Sequence, residues 1–276
     1  MQFDQALADH ITPNEREAKP STSADILVVQ SIRKSFGGVQ ALREVSLTAC
    51  ASEITGIIGP NGSGKTTLLH IIGGLFRADA GEIILNGADI SNLAVRKRLH
   101  LGLVRTFQIS RELGEMTVLE NLLIAGTPPR RETIASALFS RHRIALEQRK
   151  AAMKGRQLLQ KTGLWRLRDA PARTLSGGQK KLLEIARALM LDPKLILLDE
   201  PAAGVSPPMR LEIASVIQDL KGEGKAVVIV EHDMDVVARL CDRVYVMAEG
   251  ANLTAGTFKE VVADRRVIEA YLGGVV

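Results

Sequence analysis

Residues 59–66 read Gly-Pro-Asn-Gly-Ser-Gly-Lys-Thr, and they match the pattern G-x-x-x-x-G-K-[ST] at every fixed position. The apolar run Ile54–Ile58 precedes this loop, and a helical pattern follows it from Thr66 to Leu75. Glycines allow backbone N–H groups to turn toward phosphates, and the N-terminus of the following helix attracts anions. The stretch therefore predicts a phosphate-binding loop between a buried strand and a helix.

Two side chains of this loop carry specific chemistry. Lys65 places a positive charge beside the β- and γ-phosphates of a nucleoside triphosphate, and Thr66 offers a hydroxyl to Mg²⁺. The predicted nucleotide-binding residues of the loop are Gly59, Pro60, Asn61, Gly62, Ser63, Gly64, Lys65, Thr66 and Thr67.

A second apolar run, Leu195–Leu198, ends in two acidic residues, Asp199 and Glu200. Such a run is typical of a strand buried on both faces, and ligands of open α/β sheets bind at the carboxyl ends of the strands. We expect Asp199 to bind Mg²⁺, directly or through water, and Glu200 to polarise an attacking water as a general base. With the phosphate loop, this predicts a nucleoside-triphosphatase. No Asn is followed by Lys, which disfavours a guanine-specific site of the N-K-x-D type.

Short β-branched runs alternate with longer helical patterns along the chain. This alternation predicts an α/β fold, a P-loop core with a mostly parallel sheet and helices on both faces. The run Glu82–Leu85 ends in Asn86-Gly87, a hairpin signal that fits an antiparallel edge in the N-terminal part. Residues 117–173 hold only helical pattern, so we expect a helical subdomain, about residues 117–190, inserted in the core.

The overall composition is that of a folded chain: 276 residues, 46% hydrophobic and 24% charged, with a formal net charge of +5. Residues 1–24 are polar, and we predict a mobile tail there ahead of a single domain, residues 25–276. The two cysteines, Cys50 and Cys241, are far apart in sequence. This excludes a fold built on disulfides and a zinc site built on cysteines. We expect neither a secretory signal nor a membrane span, because no long apolar run occurs.

The positive charge is concentrated in one segment. Residues 127–173 carry twelve Lys or Arg and three Asp or Glu, which leaves the rest of the chain net negative. A solvated helical face, a contact with acidic lipid and a contact with nucleic acid are all open on this observation alone. Aromatic residues make up only 3% of the chain, which counts against a reader of single-stranded nucleic acid.

A second helix start with anion-binding character lies far downstream of the phosphate loop. Residues 175–179 read Leu-Ser-Gly-Gly-Gln and open a helix that is predicted to run from Ser176 to Met190. Ser176 is a favourable N-cap, and the free N–H groups of the first turn form an anion site. A single nucleotide has little use for two such sites in one chain.

With this segment the chain resembles the ATP-binding cassette (ABC) family over about residues 26–272, because Leu-Ser-Gly-Gly-Gln is similar to the family's signature. The resemblance implies ATP and Mg²⁺ as cofactors. It also implies that Phe36 stacks on adenine, that Gln108 senses Mg²⁺ and water, and that His232 contacts the γ-phosphate as the switch histidine. Catalysis would then rest on Glu200, with His232 and Gln108.

The resemblance further implies a head-to-tail dimer, either a homodimer or a heterodimer with a second cassette. Each ATP would lie between the phosphate loop of one cassette and the signature residues of the other. The pairing accounts for two anion sites in one chain, because each site serves a different nucleotide. The signature residues implied to contact ATP are Ser176, Gly177, Gly178 and Gln179.

Further segments resemble the cassettes of branched-chain amino-acid and related amide importers (LivG-like cassettes). Where many cassettes end the loop after Glu200 in Asp, this chain has Ser206, a departure that concerns coupling across the dimer and not ATP binding. The segments that carry the narrower resemblance are Val104–Gln108, Met116–Asn121, Pro201–Gly204, Glu231–Met234 and Arg266–Gly273.

The function implied is that of an ATPase subunit on the cytoplasmic face of the inner (plasma) membrane, peripheral to it. It would power import through separate transmembrane permease subunits, with a periplasmic substrate-binding protein as an indirect partner. Two alternatives stay open: lipid or lipopolysaccharide export, and a soluble cassette ATPase that acts on ribosomes or nucleic acid. The segment Glu231–Asp235 favours import over export. Because the chain holds a single cassette and few aromatic residues, we expect no nucleic-acid partner.

Overall fold

A computed structural model describes residues 25–106, 112–126 and 141–272. The predicted tail, residues 1–24, and Gln108 lie outside these ranges. The described residues contain one ten-stranded sheet, ordered β5-β4-β1-β2-β10-β9-β3-β8-β7-β6. Its strands are β1 (Asp25–Phe36), β2 (Val39–Cys50), β3 (Ile54–Ile58), β4 (Ala80–Leu85), β5 (Ala88–Asp89), β6 (Leu103–Arg105), β7 (Leu195–Asp199), β8 (Ala226–Val230), β9 (Arg243–Ala248) and β10 (Ala251–Gly256).

Helices connect most of these strands, with short 3₁₀ turns at Trp165–Leu167 and Ala172–Thr174. The α-helices are α1 (Lys65–Ile72), α2 (Val95–His100), α3 (Val118–Ala125), α4 (Arg141–Lys161), α5 (Gly177–Leu189), α6 (Pro207–Gly222), α7 (Met234–Leu240), α8 (Phe258–Ala263) and α9 (Arg265–Leu272).

The sheet has a parallel core and an antiparallel edge, as the sequence predicts. Neighbouring strands β9, β3, β8, β7 and β6 run parallel, whereas β1, β2, β4 and β5 pair antiparallel. Strand β10 joins the two parts, antiparallel to β9 and parallel to β2 where Ala251 meets Glu44. Because β3, β8 and β7 are neighbours in the parallel core, the residues that follow them meet at one edge of the sheet.

The central strands are buried on both faces, which explains their continuous apolar runs. Every residue of β3, β7 and β8 is buried. Along β7, Ile196 and Leu198 pack with apolar residues of α3 to α7, and Leu195 and Leu197 pack on the other face with α1 and the antiparallel strands. Successive side chains of a strand point to opposite faces, so one strand serves two cores.

Two local predictions have different outcomes. Asn86 and Gly87 both have positive φ, 49° and 77°, and form the predicted tight turn between β4 and β5. Helix α1 ends at Ile72, short of the predicted end at Leu75. The reason is Gly74, whose φ of 83° is the left-handed conformation that ends helices.

Between β6 and β7, the described residues 112–126 and 141–194 contain helices and no strand of the sheet. Thr117 is the N-cap of helix α3: its side chain accepts from the backbone N–H of Glu120, while the Glu120 carboxylate accepts from the Thr117 N–H. Helices α3, α4 and α5 pack on one another through apolar residues. The division into a helical subdomain at about residues 117–190 stays a prediction.

Part of the basic segment lies on α4, where residues 145–150 are all exposed. Near the end of this segment the ring of Trp165 lies 5.2 Å from the Arg156 guanidinium and 4.7 Å from that of Arg168. The charges here therefore face solvent and pack on an aromatic ring at the surface. No helix among the described residues combines the length and the apolar character that a membrane crossing requires.

Candidate nucleotide site

A cavity of about 310 Å³ lies at the N-terminus of α1. It brings the phosphate loop, the start of α1 and the end of β7 to one place. Six of the nine loop residues predicted to bind nucleotide therefore share this space with Glu200, whereas Gly59, Pro60 and Ser63 do not line it. The lining residues are Ala41, Asn61, Gly62, Gly64, Lys65, Thr66, Thr67 and Glu200.

Two loop glycines are required by close packing. A Cβ at Gly59 (φ 149°) would lie 2.0 Å from the carbonyl oxygen of Met247. A Cβ at Gly64 (φ 98°) would lie 2.6 Å from Leu42 Cδ2 and 2.7 Å from the Ala41 carbonyl oxygen. Gly64 is also the N-cap of α1 and leaves the first turn without a side-chain cap. The N–H groups at this helix start thus stay available to an anion.

Lys65 lies inside the loop. Its ammonium donates to the carbonyl oxygens of Gly59 at 2.8 Å and Pro60 at 2.9 Å. Burial lowers the pKa of Lys65, and the negative charges of Glu200 and Asp199 act in the opposite direction. The positive charge is therefore held in place between the loop and the two carboxylates, where phosphate oxygens would lie.

Asp199 is fully buried and paired with Arg105 of the neighbouring strand. Its Oδ2 accepts from Arg105 Nη2 at 3.0 Å, and the Asp199 side chain has no exposed area. Strands β6 and β7 align Arg105 with Leu197, so Arg105 lies on the same face of the sheet as Asp199. No role for Arg105 is predicted from the sequence. The only available signal was its place at the end of an apolar run, and that does not identify a partner.

The residues at this edge fit a magnesium ion. Asp199 Oδ1 is buried without a hydrogen-bond partner among the described residues, so an oxygen ligand stands unsatisfied beside the cavity. Thr66 lines the same cavity with its hydroxyl. Oxygen donors suit Mg²⁺, which keeps several waters and uses phosphate oxygens in nucleotide sites. The described residues hold no cluster of three or more His, Cys, Asp or Glu side chains that could bind a metal ion.

Glu200 and His232 follow β7 and β8 and approach each other at the same edge. His232 Nδ1 lies 3.8 Å from Glu200 Oε1. The Glu200 backbone N–H donates to the Val230 carbonyl at 2.9 Å, and Glu200 has a φ of 48°. A left-handed backbone at a residue other than glycine costs about 1–3 kcal/mol and often marks a functional position. The structure thus brings together Lys65, Asp199, Glu200 and His232.

Glu231 is a buried carboxylate that sequence analysis named only as part of a motif. It is 1% exposed. Its Oε1 accepts from the Ala202 backbone N–H at 2.9 Å, and its Oε2 accepts from the His232 N–H at 3.3 Å. Burial raises the pKa of Glu231, while these backbone donors lower it. A charged residue after an apolar run gives no sign in sequence that it is buried.

The signature residues form the predicted capped helix start but do not line the cavity. Ser176 accepts from the Gln179 backbone N–H, and the Gln179 side chain accepts from the Ser176 N–H. A Cβ at Gly177 would meet nothing within 4 Å, whereas one at Gly178 would lie 2.1 Å from Met209 Cγ. Gly178 is therefore required by the packing of α5 on α6, whereas no contact among the described residues requires a glycine at position 177.

Phe36 lies apart from the residues that line the cavity. Its ring is 42% exposed, sits edge-on to Phe76 at 5.4 Å and lies 5.3 Å from the Lys34 ammonium. Stacking of Phe36 on adenine stays a prediction. Gln108 lies outside the described residues, so its place relative to the site also stays a prediction.

A parallel sheet with a glycine-rich loop, a buried lysine and two carboxylates at the same edge defines a P-loop nucleoside-triphosphatase. A family model described as ABC transporter matches residues 42–203. A second model, for the branched-chain amino acid ATP-binding cassette transporter, matches residues 253–276. The chain belongs to the ATP-binding cassette transporter family of ATPases.

Curated relatives cover nearly the whole chain. It is 41% identical over 252 residues to the probable branched-chain amino acid transport ATP-binding protein LivG of Archaeoglobus fulgidus, covering 90% of this chain and 95% of that one. The corresponding protein of Methanocaldococcus jannaschii is 42% identical, with 90% and 98% covered. The lipopolysaccharide export system ATP-binding protein LptB of Haemophilus influenzae is 36% identical, with 90% and 97% covered.

Solved structures show the same fold. A nucleotide-free ATP-binding cassette from an ABC transporter is 41% identical, with a TM-score of 0.79 and coverage of 90% of this chain and 98% of that one. The ADP conformation of a cassette is 39% identical, with a TM-score of 0.78 and coverage of 90% and 99%. A dimeric cassette bound to ADP and Pi is 25% identical, with a TM-score of 0.69 and coverage of 84% and 98%.

Proposed function

We propose that the chain powers the import of branched-chain amino acids or related amide and amino-acid substrates through separate permease subunits. The observation that carries this proposal is the match of residues 253–276 to the branched-chain cassette model, in a segment outside the general cassette match at 42–203. The LivG relatives, at 41% and 42% identity, support it. Lipopolysaccharide export is the second candidate, because the LptB relative is 36% identical over a similar length.

The geometry supports a division of labour at the site. Lys65 and the N–H groups at the start of α1 bind the β- and γ-phosphates of ATP, with Gly59, Gly62 and Gly64 shaping the loop. Thr66 and Asp199 hold Mg²⁺, with Gln108 as a further contact. When bound, Mg²⁺ supplies positive charge to the phosphate oxygens. The remaining loop contacts with the nucleotide come from Pro60, Asn61, Ser63 and Thr67.

Hydrolysis requires a water aligned on the γ-phosphate and a group that accepts its proton. Glu200 lines the cavity and is the general base. His232 contacts the γ-phosphate, and its position 3.8 Å from the Glu200 carboxylate supports this role. Phe36 offers an exposed ring for the adenine.

Part of the signature segment is exposed, which supports action as a dimer: Ser176 and Gly177 lie at the surface, whereas Gly178 is buried. Ser176, Gly177, Gly178 and Gln179 present a helix N-terminus that does not line the cavity of their own chain. The open space at Gly177 leaves room for a nucleotide held by a second cassette. A solved relative is a dimer bound to ADP and Pi, which is a precedent for a dimeric cassette.

Substitution of the two neighbouring signature glycines separates packing from nucleotide contact. We expect Gly178→Ala to lower the free energy of unfolding by about 1–3 kcal/mol, because its Cβ would overlap Met209 Cγ. Gly177→Ala has open space, so its thermal midpoint stays at or above the wild-type value. Gly177→Ala should nevertheless lose ATP-dependent dimerisation, measured by light scattering. Unchanged dimerisation in this variant would contradict a role for Gly177 at a shared site.

The same proposal places the chain at the cytoplasmic face of the inner membrane. Its direct partners are a second cassette and transmembrane permease subunits, and a periplasmic binding protein acts through the permease. The exposed bases of α4, Arg149, Lys150 and Arg156, suit an anionic leaflet or an acidic permease loop near it. No nucleic-acid partner is part of the proposal.

Uptake by cells that lack the gene tests the substrate. We expect the deletion strain to lose most high-affinity uptake of radiolabelled leucine or a short aliphatic amide, and wild-type protein to restore it. The Lys65→Ala variant, expressed at the same level, should not restore it. Normal uptake of all these solutes, together with altered lipopolysaccharide at the cell surface, would favour the export alternative.

A further inference from the structure

Two loops meet at the candidate site, and each carries one of its reactive side chains. Residues 200–206, here called the 200–206 loop, follow β7 and begin with Glu200. Residues 231–233, here called the 231–233 loop, follow β8 and contain His232. The separation of 3.8 Å between His232 Nδ1 and Glu200 Oε1 therefore depends on how the two loops are held relative to each other.

Glu231 joins these loops from the buried side. It belongs to the 231–233 loop, yet its Oε1 accepts from the N–H of Ala202 in the 200–206 loop at 2.9 Å. Its second oxygen accepts from the N–H of His232 at 3.3 Å, so both oxygens are engaged by backbone donors. The side chain is 1% exposed, and water does not replace these bonds.

Arg210 joins the same loops from the outer side. This residue lies in the first turn of α6, and its Nε donates to the Val205 carbonyl of the 200–206 loop at 3.2 Å. Its Nη1 donates to the Asp233 carboxylate, which also caps α7 by accepting from the Asp235 and Val236 N–H groups. A guanidinium has several donors in a fixed plane, so one side chain bridges both loops.

We propose that Glu231 and Arg210 form a loop clamp that holds the 200–206 and 231–233 loops as one unit and so positions His232 against Glu200. The proposal rests on the proposed roles of these two residues in hydrolysis. Both clamp residues are positioning residues, because neither lines the cavity where phosphate would lie. Arg210 bridges α6 to the 231–233 loop through its ion pair with Asp233.

The clamp is tested with Glu231→Gln and Arg210→Met. A glutamine accepts through one atom only and turns its NH₂ toward the other backbone N–H, so one of the two bonds is lost. Arg210→Met keeps the aliphatic stem and removes the bridge. We expect each variant to lower kcat for ATP hydrolysis by about 100-fold, the typical cost of displacing a reacting group by about 1 Å. KM for ATP should change less than about threefold, because the phosphate loop is untouched.

Two further readouts separate positioning from a general loss of stability. The amide proton of Ala202 or His232 should exchange faster in Glu231→Gln, by hydrogen exchange followed with NMR. In the double variant Glu231→Gln/Arg210→Met, kcat should be no lower than in whichever single variant has the lower kcat. The reason is that both residues hold the same two loops together. Arg210 is 40% exposed at its side chain, so its variant folds even if Glu231→Gln does not.

A matched control lies at the other end of the same helices. Asp242 follows α7, accepts from the Ile54 backbone N–H at 2.9 Å through Oδ2 and pairs with Lys221 near the end of α6. It thus combines a backbone bond and a basic partner from α6, as the clamp does, but away from the cavity. We expect Asp242→Asn to lower the thermal midpoint while kcat stays near the wild-type value.

Different outcomes separate the clamp from the proposed function. Additive losses in the double variant, or a loss of kcat in Asp242→Asn as large as in the clamp variants, would overturn the clamp. Wild-type kcat in Arg210→Met would also overturn it. If Glu200→Gln and His232→Ala hydrolyse ATP normally, the proposed roles of Glu200 and His232 are wrong. The clamp is then wrong as well, and these two variants show that the cause lies in the proposed function.

Discussion

Replacement of Lys65 by alanine is expected to raise the dissociation constant for ATP by about 100-fold or more. Charge-assisted hydrogen bonds contribute about 1.5–3 kcal/mol each, and about 1.4 kcal/mol corresponds to a factor of ten in affinity. Lys65 supplies the ammonium charge of the cavity, and it also satisfies the carbonyl oxygens of Gly59 and Pro60. The variant loses the phosphate contact and removes the Lys65 donor from the Gly59 carbonyl, while the Pro60 carbonyl still accepts from the Ser63 N–H. Titration with a fluorescent ATP analogue measures the change.

Lys225→Ala is the matched control for this experiment. Lys225 is also largely shielded, with a side chain 15% exposed, and donates to a backbone carbonyl, that of Pro193 at 3.3 Å. It lies away from the cavity and pairs with Asp192. We expect Lys225→Ala to lose a similar amount of stability and to keep wild-type affinity for ATP. Wild-type affinity in Lys65→Ala itself would show that the loop assignment is wrong.

Much of the fold is predictable because its signals are local. The run Leu195–Leu198 indicates a doubly buried strand whatever its neighbours are, and Asn86-Gly87 indicates a turn through its own backbone preferences. The cap formed by Ser176 and Gln179 is likewise set within four consecutive residues. The position of β10 between β9 and β2 depends on long-range pairing and has no such local signal.

Some residues of the candidate site are likewise predictable from the sequence, and others are not. Lys65, Asp199 and Glu200 belong to motifs in which residue type and spacing already express the chemistry. Arg105 and Glu231 do not, because their roles arise from strand register and burial. Arg105 meets Asp199 only because β6 lies beside β7 with Arg105 opposite Leu197. In sequence, both are simply charged residues at the end of an apolar run.

The transported substrate is inferred from a different kind of evidence. The residues that line the cavity belong to the nucleotide chemistry and do not indicate whether the transported solute is an amino acid or a lipid. What distinguishes the candidates is the C-terminal segment, residues 253–276, which matches the branched-chain cassette model. Similarity to known cassettes thus supports the proposed substrate, and the geometry of the site supports the proposed chemistry.

Replacement of Glu200 by glutamine is expected to lower kcat for ATP hydrolysis by about 100- to 10,000-fold and to leave ATP binding intact. A general base contributes rate enhancements of this order, and an amide cannot accept the proton of an attacking water. Glutamine has the same shape and tolerates the φ of 48° as well as glutamate does, so the loop keeps its conformation. ATP that binds but is not hydrolysed should hold two cassettes together. Light scattering with ATP measures the dimer, and phosphate release measures turnover.

Glu249→Gln is the control that matches this variant in both chemistry and backbone. Glu249 has a φ of 47° and an 80% exposed side chain, in an ion pair with Arg43 at 3.5 Å. Because it does not line the cavity, its variant should hydrolyse ATP at the wild-type rate and should not accumulate a dimer with ATP. Unchanged turnover in Glu200→Gln would refute the assignment of Glu200 as the base. Slow turnover without a trapped dimer would keep the base and refute the shared site proposed for the signature residues.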